Sequence, residues 1–110
     1  MNWITLNTQT QIDDIRIHLG YSLIFKHSTR CSISLMAKKK FELDWYALPP
    51  SMPLYFLDLL KFRTLSNAIA ENFQVHHESP QVLLIKDGAC IFESSHGDIS
   101  ADEIAEQINL

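Results

Sequence analysis

Cysteine is scarce in this chain: only Cys31 and Cys90 occur among 110 residues. Two thiols cannot build the disulfide scaffold of a small secreted domain. One bridge between them remains possible, although the spacing does not require it. Glycine is scarce as well, and Gly20, Gly88 and Gly97 stand alone. No glycine-rich loop is therefore present to cradle a phosphate, and no glycine-flanked nucleophilic serine occurs. Long apolar runs are missing, so no spanning helix is expected. The stretch from Met1 to Gln11 lacks the charged start and apolar run of a secretory signal, which makes the cytosol the expected compartment. Excess positive charge is missing too. The net charge of −4 leaves no basic footprint for nucleic acid. The run Lys38-Lys39-Lys40 does not change this, because it falls in the later half of a predicted helix, where cations suit the helix dipole and solvent.

What is present is ordinary globular material, 46% hydrophobic and 20% charged, and the length suits one domain spanning residues 1–110 with one core. Met1 to Leu6, with Trp3, Ile4 and Leu6, suits either a short edge strand or a segment that simply packs. Thr8-Gln9-Thr10-Gln11 fits a capping box that opens a helix on Ile12, Ile15 and Leu19, with Gly20 expected as its C-cap. Tyr21 to Phe25 is short, apolar and β-prone, as in a strand buried on both faces. A second helix is expected from near Cys31 to about Trp45, its inner stripe formed by Ile33, Met36, Ala37, Phe41 and Trp45. Pro49-Pro50-Ser51 marks a loop. Leu54 to Leu60 reads as another central strand with Asp58 at its C-terminal end or paired, and Thr64 to Phe73 as a third helix. Pro80 introduces a buried strand over Gln81 to Lys86. Asp87-Gly88 turns that strand into an antiparallel partner over Ala89 to Glu93. Ser100 and Glu103 form a second capping pattern before a last helix on Ile104 and Ile108. No internal repeat is visible. The order helix, strand, helix, strand, helix, hairpin, helix gives an α/β fold, with a mixed sheet of four or five strands and helices on both faces.

The stretch Phe25-Lys26-His27-Ser28-Thr29-Arg30-Cys31-Ser32-Ile33-Ser34 organises the rest. A strand enters, a polar loop turns, and a cysteine opens a helix. A helix N-terminus presents free N–H groups and about half a positive charge. A thiolate is stabilised there, and Arg30, Lys26 and His27 are expected to act in the same direction. Free cysteine is also a common buried residue that behaves as a small hydrophobe. On pattern alone, a reactive and an inert Cys31 both stay open. A resolving thiol is missing one turn on, where Ser34 stands, so Cys31 cannot close a local disulfide; Ser34 is placed to donate to the sulfur. Cys90, beside Ile91 and Phe92, reads as a buried, inert thiol. His18, His27, His76, His77 and His96 lack the paired short spacings of a zinc site, so no metal is expected. His27 and His96 read as surface residues, with tuning of the thiol as the alternative.

The run from Lys26 to Ser34, taken with His77-Glu78-Ser79-Pro80-Gln81 and the late Ser95-His96, resembles the bacillithiol-system redox-active family (YtxJ). That family is also called bacilliredoxin-C-type or monothiol-glutaredoxin-like, and the likeness spans nearly the whole chain. It implies a thioredoxin-like fold and a single catalytic cysteine at Cys31. It further implies thiol–disulfide exchange with a low-molecular-weight thiol of the bacillithiol type as co-substrate, acting on thiolated client proteins. Apart from that thiol no cofactor is expected, and charge and apolar-run length leave no membrane or nucleic-acid partner expected either. The resemblance also implies that Ser79-Pro80 is cis and lies against the cysteine. The Ser79 main chain is then free to pair with an extended substrate. Thr29, Arg30, Ser34, Ser79 and Pro80 are the expected binding and positioning residues. One departure is visible: Ser32 stands where the family often has proline. A glutaredoxin-type iron–sulfur cluster is not expected, because the glycine-rich active loop is absent. The competing reading is a non-catalytic thioredoxin-like module that binds peptides or is thiolated under stress.

Overall fold

The computed structural model describes residues 2–28 and 30–109. Its strands are β1 (Ile4–Thr5), β2 (Tyr21–His27), β3 (Leu54–Asp58), β4 (Gln81–Lys86) and β5 (Ala89–Ser95). Its helices are α1 (Gln9–Ile17), α2 (Ser32–Asp44), α3 (Arg63–Phe73) and α4 (Ala101–Ile108). The strands form one mixed sheet in the order β1-β3-β2-β4-β5. β2 lies at its centre, parallel to β3 and antiparallel to β4. Central placement explains why its sequence is apolar on both sides: alternate residues face opposite layers of helix. Leu23 and Phe25 join Leu54, Val82 and Leu84 under α2 and α4. Ile24 joins Leu57, Leu83 and Ile85 under α1 and α3.

Local signals account for the joints. The capping box of α1 forms in both directions, since Thr8 Oγ1 accepts from the Gln11 N–H at 3.2 Å and Gln11 Oε1 accepts from the Thr8 N–H at 3.1 Å. Ser100 Oγ caps α4 by accepting from the Glu103 N–H. Asp87 and Gly88 both take positive φ (51° and 83°), as a two-residue hairpin turn of matching twist requires. Gly88 also has no room for a side chain, because a Cβ there would lie 2.0 Å from the Arg16 carbonyl oxygen. β4 and β5 carry a register shift after Leu84, where Leu84 faces Phe92 and Ile85 faces Cys90.

The structure corrects several expectations. α1 ends at Ile17 with His18 as its C-cap, and Leu19 is exposed. Gly20 instead forms the entry to β2 at φ 98°, its N–H donating to Asp87 Oδ1 at 2.7 Å. The inner face of α2 is Ser34, Ala37 and Phe41, whereas Ile33 and Met36 are exposed. Trp45 starts a short 3-10 turn (Trp45–Ala47). Lys38 is not wholly solvated: it pairs with Glu42 at 2.9 Å and lies over the rings of Trp3 and Phe56. β3 stops at Asp58, whose Oδ1 accepts from the Leu60 N–H.

Candidate active site

β2 delivers the chain to the C-terminal edge of the sheet, and the loop after it is folded tightly. The Cys31 N–H donates to the Ser28 carbonyl at 3.1 Å, and the Ser28 N–H donates to Ser34 Oγ at 3.1 Å. Ser34 is fully buried, so its hydroxyl serves as an internal clasp that pulls the loop onto the first turn of α2. Cys31 is the N-cap of that helix, with extended backbone (φ −99°, ψ 119°) and a half-buried side chain. Its carbonyl accepts the first helical bond, from the Leu35 N–H at 3.0 Å. No side-chain oxygen caps α2 among the described residues. The amides of the first turn are therefore left to interact with an anion at this end. Arg30 is exposed and lines a shallow depression with Asp58, Leu60 and Lys61 at the end of β3. Thr29 lies outside the described residues.

Two residues expected in the loop belong to the strand. β2 continues through Lys26 and His27, and both are buried. His27 is thus not a surface residue. Its ring packs on Phe25 and Phe56, and burial, aided by the charge of Lys38, pushes its pKa below the ordinary imidazole value. Among the described residues, its Nδ1 has no hydrogen-bond partner. Lys26 turns to the opposite face, where its Nζ meets Ser66 and His77. Its charge is therefore spent away from Cys31. Sequence reasoning missed both burials because a polar pair after an apolar run looks like the start of a loop. The signal available was the strand's partner, since Lys26 pairs with Gln81 directly after Pro80.

That pairing brings the second segment to the same edge of the sheet. The Ser79–Pro80 peptide bond is cis, Pro80 is buried and Ser79 half-buried. The Pro80 carbonyl accepts from the His96 N–H at 3.0 Å, and His96 Nε2 lies 3.1 Å from Glu78 Oε2. Pro80 is thereby fastened to the turn after β5. Between that turn and α2 runs a groove of about 320 Å³ lined by Ile33, Met36, Ala37, Lys40, His96, Gly97 and Ile99. The exposed apolar residues of α2 thus face the space next to its own N-terminus.

Cys90 sits elsewhere. It opposes Ile85, which in turn pairs with Ser22 at the start of β2. From Ser22 to His27 the strand climbs roughly 17 Å at about 3.3 Å per residue. A disulfide needs Cα atoms about 4.4–6.8 Å apart, so Cys90 cannot resolve Cys31 within one chain. Both thiols are free. The Cys90 thiol donates to the Phe92 carbonyl, and burial raises its pKa. No cluster of three or more histidine, cysteine or carboxylate side chains suited to a metal ion occurs among the described residues.

The model of the family described as "Monothiol bacilliredoxin BrxC" matches residues 4–104. The chain belongs to the monothiol bacilliredoxin family. Solved structures agree on the fold. A thioredoxin-fold protein assigned as a candidate oxidoreductase superposes with a TM-score of 0.83 at 32% identity, over 94% of this chain and 91% of that one. A mutant thioredoxin from Halobacterium salinarum reaches 0.72 at 18% identity, over 97% and 88%. The thioredoxin of Trypanosoma brucei brucei reaches 0.74 at 10% identity, over 98% and 88%. At such low identities the thioredoxins speak for the fold alone. As a bacilliredoxin-family protein of thioredoxin fold, the chain is a redox thiol protein, and its α/β architecture is the one expected from the sequence.

Proposed function

We propose that Cys31 removes or exchanges a low-molecular-weight thiol of the bacillithiol type on protein cysteines. The supporting observation is the setting of the sulfur: it is the N-cap of α2, half-buried, with serine one turn on and the other thiol at the far end of the sheet. In the reaction, the Cys31 thiolate attacks the small-thiol sulfur of a client's mixed disulfide. The client's S–S bond breaks, its cysteine leaves as a thiolate that takes a proton, and Cys31 carries the small thiol as a new mixed disulfide. A second small-thiol thiolate then attacks that disulfide, freeing Cys31 and leaving as the symmetrical disulfide. No electrons are gained or lost beyond this exchange.

In this reading Ser79 offers its main chain to the client, Pro80 flanks the sulfur, and Arg30 and Thr29 act as positioning residues for the substrate. Ser34 acts by fixing the loop that carries Cys31. The groove beside Ile33 and Met36 suits an apolar side chain of a protein client, which favours thiolated proteins as substrates over small disulfides alone. A reducing compartment, the cytosol, fits an unpaired thiol. Among the described residues, no helix is long and apolar enough to cross a membrane. The test is an exchange assay on a bacillithiolated protein with Cys31→Ser as control. The expected result is release of the small thiol by the wild type and none by the variant. Release that survives the substitution would assign the chemistry elsewhere, and no release by the wild type would favour a non-catalytic binding module.

A further inference from the structure

Lys26 is enclosed by protein, at 0% exposure, and has no carboxylate partner among the described residues, which is exceptional for lysine. Its Nζ lies 3.3 Å from the Ser66 carbonyl oxygen and 3.2 Å from His77 Nδ1, both uncharged acceptors, and Ser66 Oγ lies 3.3 Å from the same nitrogen. An ammonium only donates. Nδ1 must then carry a lone pair, which makes His77 the neutral tautomer with its proton on Nε2. The cross-strand partner of Lys26 is Gln81, also fully buried. Gln81 Nε2 donates to the His76 carbonyl at 3.0 Å and to Glu93 Oε2 at 2.9 Å, and its Oε1 accepts from the Glu78 N–H at 3.3 Å. One cross-strand pair therefore fastens His76, His77 and Glu78, the residues that lead into Ser79–Pro80.

We propose that Lys26 and His77 are a positioning pair: neutral His77, accepting from Lys26, holds the Pro80 segment against the end of β2 that carries the Cys31 loop, and a proton on His77 releases it. This rests on reading Cys31 as the exchanging sulfur. Protonated Nδ1 would face the Lys26 ammonium at contact distance, so the two cations must part. The groups facing His77 are Lys26 from β2, Ser66 and Arg63 from α3, and His76 and Glu78 from its own segment. Burial and the charges of Lys26 and Arg63 keep the proton off, with Glu78 opposing.

The experiment follows exchange by wild type, His77→Ala and His77→Asn from pH 5 to 8, together with the backbone amide shifts of residues 76–78. Asn can offer Oδ1 to Lys26 where Nδ1 was, and it does not titrate. The expected results at pH 7.5 are a fivefold or greater loss for the Ala variant and recovery of most of that loss by Asn. Below pH 6.5, wild type should lose rate by one proton more than protonation of the Cys31 thiolate accounts for, a further step that the Asn variant lacks, and the wild-type amides should move through that same step. Equal rates for Ala and Asn, or an Asn profile that falls in acid as steeply as that of wild type, would overturn the proposal. If wild type shows no exchange at all, the reading of Cys31 fails, and the amide shifts decide the pair by themselves: movement absent from Asn supports it, and static amides refute it.

Discussion

Replacing Lys26 with methionine should make the protein more stable and less active. Burial lowers the Lys26 pKa from 10.5 to about 8. At about 1.36 kcal/mol per pKa unit, holding the charged form inside costs about 3 kcal/mol at neutral pH. The enclosure lies near an end of the sheet, and the substitution also forfeits two hydrogen bonds worth about 1 kcal/mol each. The net gain should therefore be about 1–2 kcal/mol, a rise in Tm on the order of 5–10 °C for a chain of this size. The sign with pH follows from the lowered value. Between about 8 and 10.5 the unfolded chain binds the proton and the folded chain does not, so wild-type stability rises with pH across that window. The advantage of Lys26→Met should be complete below pH 8, vanish at about pH 9 and become a deficit of about 1–2 kcal/mol near 10.5, where only the lost hydrogen bonds remain. Thermal melts of both proteins at pH 7, 9 and 10.5, with exchange rates at pH 7.5, measure it. A methionine variant that is less stable at pH 7, by a margin that does not change with pH, would refute the reasoning.

Two further substitutions probe the frame and the loop. Gly88→Ala forces a Cβ into the Arg16 carbonyl at a φ of 83° and should cost roughly 2–4 kcal/mol in a denaturant melt; a loss under 0.5 kcal/mol would mean that the turn moves freely off α1. Ser34→Ala leaves the half-buried Ser28 N–H without its acceptor and should cost about 1–2 kcal/mol. It should also quicken amide exchange at Ser28 and Cys31, whereas unchanged exchange there would show that Ser34 does not hold the loop.

Much of the frame was legible because its signals are local and strong. The apolar run of β2, the Asp87-Gly88 turn and the Thr8/Gln11 box each have one cheap structural solution, and each takes it. What escaped was decided by tertiary context. Ile33 and Met36 match a helical apolar stripe as well as Ala37 and Phe41 do. The helix is nevertheless rotated so that Ser34 turns inward, because the loop needs an acceptor for the Ser28 N–H. A scan for apolar spacing has no way to favour a serine. Leu19 continued the period of α1, but the chain had to leave the helix early to reach β2 through Gly20. Lys26 and His27 look like loop residues by type, and only the pairing of β2 with Gln81 and Asp58 places them in the sheet. The places of Cys31 at the start of α2 and of Ser79-Pro80 before β4 were legible; the support around them was not, since Gln81, Ser66 and His77 gather around Lys26 only once the strands are in register.

The most direct test of the account is to ask which sulfur carries the small thiol after a single turnover. The protein is mixed with a bacillithiolated client, quenched with acid and mapped by peptide mass spectrometry. The account expects the added mass on the Cys31 peptide with Cys90 unmodified, and a client restored to its free thiol in equal amount. A modified Cys90, or an unmodified protein beside a restored client, would contradict it.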